Sequence, residues 1–161
     1  MQSFKIHVTK DYLSFCSGHF ITYEGHSCER LHGHDYRVGV TLEGEISASW
    51  YIFDFVTLKK LMKQITDEID HRVLLALNNP LLKISYDDRA ISVEYKERRY
   101  LFPRDDVVLL PIPNTTAEML AQYLTNRLKQ QLISLQVENI HFIEIDVEES
   151  FGQFATYRET F

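Results

Sequence analysis

Alternating apolar and polar residues dominate the first third of the chain. Residues 4–21 and 36–46 both follow this alternation, which has the period of a half-buried β-strand. In the second segment Val38, Val40 and Leu42 would lie on the buried face. We therefore predict two strands that pair in antiparallel orientation.

Two later segments space their apolar residues like amphipathic helices. Asp54 can cap the first helix, which we expect to end near Asp70. Thr115 and Glu118 have the spacing of a capping box before the second helix. The predicted buried positions are Leu58, Leu61, Met62, Ile65 and Ile69 in the first helix and Leu120, Leu124, Leu128 and Leu132 in the second.

The C-terminal part of the chain returns to strand-like alternation. Residues 140–149 and 154–160 predict two strands joined as a hairpin around Gly152. The order strand, strand, helix, insert, helix, strand, strand predicts an α+β fold with two helices on one face of a four-stranded antiparallel sheet. We interpret residues 1–161 as a single domain.

The insert between the two helices covers residues 83–110. Its segments 90–95 and 99–102 alternate on either side of a charged turn at residues 96–98. This pattern predicts an additional β-hairpin.

Composition and charge narrow the class of protein. A chain of 161 residues with 45% hydrophobic content can form one well-buried core, and its net charge of −6 argues against a nucleic-acid partner. No apolar run approaches the roughly 18 residues of a membrane span, and the start of the sequence lacks a signal-peptide pattern. We expect a cytoplasmic protein with no membrane partner. The two cysteines, Cys16 and Cys28, do not predict a disulfide framework.

The segment CERLHGH, residues 28–34, carries the spacing of metal ligands. On a strand His32 and His34 face the same side, and Gly33 between them lets another backbone approach closely. His19, at the end of the preceding strand, offers a third imidazole. Three neutral nitrogens with one open position are typical of a catalytic zinc site, whereas isolated histidines on strands are often ordinary hydrogen-bonded residues.

Cys28 follows the polar residues 25–27, which predict a loop beside these histidines. Its thiol could be a small buried group, a fourth zinc ligand that closes the site, or a thiolate activated by a nearby cation. Asp70 and His71 could form a proton-transfer pair at the end of the first helix. The histidine could equally be there because cations are favoured at helix C-termini.

The order of these motifs resembles the 6-pyruvoyl-tetrahydropterin synthase family, including its 6-carboxytetrahydropterin synthase branch. The matching elements are Gly-His-Phe at 18–20, Cys-x-x-x-His-Gly-His at 28–34, Asp-Phe at 54–55, Asp-His at 70–71, Thr-x-Glu at 116–118 and Val-Glu-Glu-Ser at 147–150. The resemblance runs from about residue 4 to residue 157. The insert at 83–110 is longer than the connection usual in bacterial members.

The resemblance implies a tunnelling fold, in which the sheets of several subunits join into a barrel. It implies a homohexamer built as a dimer of trimers, with active sites between subunits. The residues implicated are His19, His32 and His34 as zinc ligands, Cys28, Asp70 and His71 as catalytic residues, and Glu149 and Thr116 as substrate-binding residues. Glu149 would anchor the pterin ring, and Glu148 should face the opposite side of its strand.

The resemblance also implies a reaction. The chain would be a zinc-dependent lyase acting on 7,8-dihydroneopterin triphosphate to give 6-carboxy- or 6-pyruvoyl-tetrahydropterin, in queuosine or pterin biosynthesis. Arg30, Arg72 and basic residues of the insert are candidates for binding the triphosphate.

Two alternatives remain at this point. Glu29 could be a second base that favours cleavage of the side chain to 6-hydroxymethyl-7,8-dihydropterin for folate synthesis, or a solvated residue paired with Arg30. The second alternative is a non-catalytic, zinc-stabilised oligomeric module in which Cys28 and the three histidines fill a closed site.

Overall fold

The computed structural model describes residues 3–24 and 27–161. Residues 25 and 26, part of the loop predicted before Cys28, lie outside the described residues. The helices are α1 (Phe55–Asp67) and α2 (Ala117–Ser134). The strands are β1 (Phe4–His19), β2 (Thr22–Tyr23), β3 (Ser27–Cys28), β4 (His32–Gly44), β5 (Arg72–Ala76), β6 (Lys83–Tyr86), β7 (Ala90–Tyr95), β8 (Arg98–Pro103), β9 (Val107–Leu110), β10 (Ile140–Ser150) and β11 (Gln153–Thr160).

The main sheet is larger than the sequence pattern predicts. Within the described ranges it has six strands in the order β11-β10-β4-β1-β5-β9. The first four are the predicted antiparallel set, but β5 pairs with β1, and β9 with β5, in parallel orientation. The prediction of a four-stranded sheet was wrong because these two short strands are continuous apolar runs, typical of buried parallel strands, and carry no alternation to read.

The register between β1 and β4 determines where the histidines lie. β4 begins at His32, four residues before the predicted start, and His19 pairs directly with His32 while Ser17 pairs with His34. Gly33 is opposite Gly18, and a Cβ on Gly33 would lie 3.1 Å from the carbonyl oxygen of Ser17. A side chain at this position would therefore crowd β1.

The helices begin at caps that the sequence largely anticipates. The Asp54 carboxylate accepts hydrogen bonds from the backbone N–H and hydroxyl of Thr57, and α1 ends at Asp67 rather than near Asp70. For α2 the predicted cap was wrong by one residue. Thr116 is the N-cap, whereas the hydroxyl of Thr115 donates to the carbonyl of Phe20 at the end of β1.

Both helices pack on the main sheet around one hydrophobic core. The fully buried side chains of this core include Leu13, Phe15, Tyr36, Leu42, Leu58, Met62, Ile65, Ile69, Leu74 and Leu110. Among the described residues, no helix is long and apolar enough to cross a membrane.

The insert forms the predicted hairpin and two further strands, β6 beside the hairpin and β9 in the main sheet. β7 pairs with β8 as predicted, and β6 pairs with the other edge of β7. This small sheet contributes Ile91 and Val93 to a second core with Phe20 and Val107, and Cys28 packs against that core. The insert is thereby placed beside the segment that carries Cys28.

Candidate active site

Three histidines converge at the ends of two neighbouring strands. His19 is the last residue of β1, and His32 and His34 lie at the start of β4. One ring nitrogen from each lies within 4.8 Å of those of the other two. The ring centroids are 4.8 Å apart for His19 and His32, 5.3 Å for His19 and His34, and 4.8 Å for His32 and His34.

The hydrogen bonds of these imidazoles leave nitrogens available for a metal. Nδ1 of His19 donates to the carbonyl of Thr115 at 2.9 Å, and Nδ1 of His32 donates to the carbonyl of Arg30 at 2.8 Å. Such main-chain acceptors fix the tautomer and orientation of metal-binding histidines. Nε2 of His34 is buried and has no hydrogen-bond partner in the part of the chain that is described. This set of nitrogen donors fits a zinc ion.

His19 is the most deeply buried member of the cluster. Burial lowers its pKa to about 4, although the hydrogen bond to Thr115 acts in the opposite direction. The imidazole is therefore neutral near pH 7, which is the form that binds a metal.

Two carboxylates lie close to different histidines of the cluster. Glu149 places Oε1 3.8 Å from Nε2 of His34 and Oε2 4.0 Å from Nε2 of His19. Glu29 places Oε2 3.9 Å from Nε2 of His32. Their negative charge favours a cation between the imidazoles.

The adjacent glutamates of β10 have different surroundings. Glu149 lines a cavity of about 370 Å³ together with Thr116 at the start of α2. Glu148 accepts a 2.7 Å hydrogen bond from the backbone N–H of Gly152 and lines a separate cavity with Arg37. Of these two adjacent glutamates, Glu149 is the one that lies beside the histidines.

Glu29 is held by groups of the β2–β3 hairpin. Its carboxylate accepts a 2.6 Å hydrogen bond from the hydroxyl of Tyr23 and a 3.2 Å hydrogen bond from the backbone N–H of Ile21. Burial raises the pKa of Glu29, but these hydrogen bonds outweigh it and hold the pKa below its ordinary value. Within residues 3–24 and 27–161, no ion pair joins Glu29 to Arg30.

Cys28 lies beside the cluster but is not a member of it. The residue belongs to the short strand β3 rather than to the predicted loop, and its thiol is half-buried against the core of the insert. The metal-binding group formed by the described residues contains the three histidines without this thiol. Burial raises the pKa of Cys28, and the guanidinium of Arg98 opposes that shift.

Asp70 and His71 lie on the other face of the main sheet. Asp70 binds Nδ1 of His71 at 2.9 Å and accepts a 2.7 Å hydrogen bond from the backbone N–H of Cys16. Cys16 and His19 are three positions apart on β1, so they face opposite sides. The pair lines a cavity with Cys16 and Asp35, to which neither Cys28 nor the three histidines contribute. A single chain therefore does not bring Cys28 and this pair together.

The two cationic candidates for triphosphate binding are also apart from the cluster. The side chain of Arg72 donates to the carbonyl of Asp105, at the end of the insert. Arg30 is exposed, and its carbonyl accepts the hydrogen bond from His32.

Residues 7–160 match the family model of 6-pyruvoyl tetrahydropterin synthase. The chain belongs to this family. A Methanocaldococcus jannaschii protein, provisionally named 6-carboxy-5,6,7,8-tetrahydropterin synthase, is 40% identical over 149 residues, which cover 91% of this chain and 90% of that protein. A dihydroneopterin monophosphate aldolase of Pyrococcus furiosus is 40% identical over 68 residues, which cover 42% of this chain and 57% of that protein.

The fold also agrees with solved tetrahydropterin synthases. The 6-pyruvoyltetrahydropterin synthase of Plasmodium vivax superimposes with a TM-score of 0.92 at 29% identity, over 100% of both chains. That structure is of a variant in which a glutamate, described as a catalytic residue, is replaced by alanine.

Three residues near the site were missed from sequence. Tyr36 is fully buried, and its hydroxyl oxygen lies 3.2 Å from Nε2 of His19. Burial raises the pKa of Tyr36, so the hydroxyl remains protonated. It lies two positions after His34 on one face of β4, so strand alternation could have found it. Tyr23 and Arg98 act through tertiary contacts that no local pattern encodes.

Proposed function

We propose that this chain is a zinc-dependent lyase that acts on 7,8-dihydroneopterin triphosphate and produces 6-carboxy- or 6-pyruvoyl-tetrahydropterin. The observation that carries the proposal is the convergence of His19, His32 and His34 beside a cavity lined by Glu149. Membership of the tetrahydropterin synthase family supports the substrate class. The name of the M. jannaschii relative favours the 6-carboxy product.

His19, His32 and His34 are the residues that would hold zinc. When bound there, zinc would supply a Lewis acid for the hydroxyl groups of the substrate side chain and stabilise negative charge that develops on them. Thr115 and Arg30 would orient two of the ligands through their carbonyl groups.

Glu149 would fix the pterin ring. A carboxylate can accept two hydrogen bonds, here from the amino group and a ring N–H of the pterin. Its oxygens lie 3.8 and 4.0 Å from two of the imidazoles, so the ring would bind directly beside the metal centre. The cavity shared with Thr116 leaves room for the heterocycle, and the side chain would then extend toward the histidines.

Cys28 and the Asp70–His71 pair would move protons between carbon and oxygen of the side chain. Asp70 holds Nδ1 of His71, which leaves Nε2 of this exposed imidazole free to accept or donate a proton. Because the pair lies on the other face of its own sheet, we infer that a neighbouring copy supplies it to each site. A homohexamer, arranged as a dimer of trimers with barrels of joined sheets, would provide such neighbours.

Product analysis tests this function directly. Zinc-loaded protein is incubated with 7,8-dihydroneopterin triphosphate, and the pterins are identified by mass. We expect 6-carboxytetrahydropterin together with acetaldehyde and triphosphate. Absence of any zinc-dependent pterin product would contradict the proposal.

A second candidate is cleavage of the side chain to 6-hydroxymethyl-7,8-dihydropterin. It is favoured by the Glu29 carboxylate, which lies 3.9 Å from Nε2 of His32 and is held by Tyr23. The P. furiosus relative is named as an aldolase, and the P. vivax structure identifies a catalytic glutamate. In the same assay, the hydroxymethyl product would identify this activity.

The closed zinc module has less support. It requires the Cys28 thiol among the metal ligands, and this thiol lies outside the histidine cluster. Alkylation of Cys28 in the zinc-loaded protein would exclude it.

A further inference from the structure

The insert makes a direct contact with the backbone beside Cys28. Arg98, the first residue of β8, directs its Nη1 to the carbonyl of Glu29 at 2.6 Å and to the carbonyl of Cys28 at 3.3 Å. These partners are 69 and 70 positions away in the sequence. One guanidinium therefore spans two consecutive peptide groups of the segment between the hairpin and the zinc motif.

In the part of the chain described here, the other main-chain hydrogen bonds of Cys28 and Glu29 lie within the hairpin. β3 contains only Ser27 and Cys28, and it pairs with the equally short β2. After β3, the backbone N–H of Glu29 donates to the carbonyl of Ile21 at 2.9 Å. The contacts of Arg98 add a donor that comes from outside the hairpin, and charged donors make the stronger hydrogen bonds.

The insert that carries Arg98 is tied to the same strand end as the histidine cluster. Tyr100 stacks on Phe20 with ring centroids 5.5 Å apart, and on Phe102 at 5.8 Å. Phe20 directly follows His19, and it is packed with Ile91 in the second core. These contacts fix the position of Arg98 relative to the metal-binding group.

We propose that Arg98 is a positioning residue, which holds the Cys28–Glu29 backbone so that the thiol and the carboxylate face the substrate. The inference rests on the proposed pterin chemistry for its effect on turnover. Arg98 contacts the main-chain carbonyls of both residues, so its loss should disturb the placement of both side chains. The proposal also gives the insert a role, because it would hold the Cys28–Glu29 backbone in place.

The test compares Arg98→Ala and Arg98→Met with Glu94→Gln as a control. Methionine keeps the apolar part of the side chain but has no hydrogen-bond donor. Arg98→Met is therefore the test variant if Arg98→Ala disturbs the fold of the insert. Glu94 pairs with Lys83 and Arg99 within the same three-stranded sheet. For both Arg98 variants we expect kcat to fall roughly 10- to 100-fold with KM and zinc content little changed, because small misplacements of catalytic groups are costly. Arg98→Lys should recover part of the loss, since it keeps a donor but not the planar fork.

Hydrogen exchange separates this inference from the proposed function. In Arg98→Met, peptides covering residues 27–31 should exchange faster, while peptides of β6, β7 and β8 keep their protection. The control should match wild type in both measurements. Unchanged exchange at residues 27–31 together with unchanged kcat would overturn the role of Arg98. If wild type does not convert the pterin, the proposed function fails, and exchange alone then decides whether Arg98 holds the segment.

Discussion

The hydroxyl of Tyr23 donates a 2.6 Å hydrogen bond to the carboxylate of Glu29, across the β2–β3 hairpin. This contact holds the carboxylate 3.9 Å from Nε2 of His32 and gives Glu29 a defined place at the edge of the site. Cys28 precedes it and packs on the other side against the insert. Two groups able to transfer protons are therefore adjacent in the chain but occupy different surroundings.

Replacing each of these groups should divide the products. We expect Cys28→Ala to abolish the 6-carboxy or 6-pyruvoyl product and leave measurable 6-hydroxymethyl-dihydropterin, because Glu29 would act on a hydroxyl proton of the side chain. Glu29→Ala should have the reverse effect. Mass analysis of the pterins measures both. If Cys28→Ala removes every product and Glu29→Ala removes none, Glu29 takes no part in the chemistry.

Metal content depends on the three histidines. Purified protein should contain about one zinc ion per chain, and replacing His19, His32 or His34 by alanine should remove the metal and the turnover together. His141, paired with Glu45 outside the cluster, provides the control, since His141→Ala should keep the zinc. Elemental analysis measures occupancy. Full occupancy in a His32→Ala, His34→Ala double variant would contradict the assignment.

The neighbouring glutamates of β10 should differ in pterin binding. Glu149→Ala should weaken binding by roughly 2 to 4 kcal/mol, because a charge-assisted contact with two hydrogen bonds is lost and polar groups are left unpaired. Glu148→Ala should change it little, since that carboxylate caps the turn at Gly152. Calorimetric titration with a pterin compares the two. Equal losses would show that Glu149 has no special contact with the ring.

Sharing of sites between copies can be tested by mixing inactive variants. If Cys28 and His71 of one site come from different chains, refolding Cys28→Ala with His71→Ala should restore about a quarter of the sites, by random combination around a symmetric ring. Cys28→Ala mixed with His32→Ala should remain inactive, because both residues serve the same side of a site. Formation of the 6-carboxy or 6-pyruvoyl product per mixed oligomer is the measurement. No recovery in verified mixed oligomers would place both groups in one chain.

Ionisation of Asp70 should make the free energy of unfolding depend on pH in the acidic range. Burial raises its pKa, but hydrogen bonds from Cys16 and His71 outweigh it and hold the pKa below its ordinary value. A lowered pKa contributes stability that is complete above the unfolded-state value, near 4, and is lost as pH falls through the folded-state value. Asp70→Asn should therefore unfold at lower urea than wild type at pH 7, and the difference should shrink below about pH 4. A difference independent of pH would exclude this ionisation.

Much of this architecture can be read from short-range patterns. Alternation located the four antiparallel strands, and the spacing of His32 and His34 indicated one shared face because side chains on a strand repeat every second residue. Asp54 was recognised as a cap because its carboxylate is satisfied three residues away. These features depend on residues that are close in the sequence, so local spacing is enough to predict them.

The remaining features depend on partners distant in the chain. Thr115 has the correct spacing for a cap, but its hydroxyl bonds Phe20, 95 positions away, and Thr116 becomes the cap instead. β5 and β9 join the sheet through parallel pairing without a periodic signal. Arg98 reaches the Cys28 segment from an insert that packs against Phe20.

The pairing of His19 with His32 across β1 and β4 has a consequence for folding. A slip of one residue between these strands would turn His32 and His34 to the opposite side of the sheet, away from His19. A one-residue slip therefore separates the three imidazoles, and an ion that binds all three would stabilise the native alignment over the slipped one. Metal binding would therefore favour the native register of β1 and β4. Gly33 lies against the backbone of Ser17 and permits the close approach of the two strands in that register.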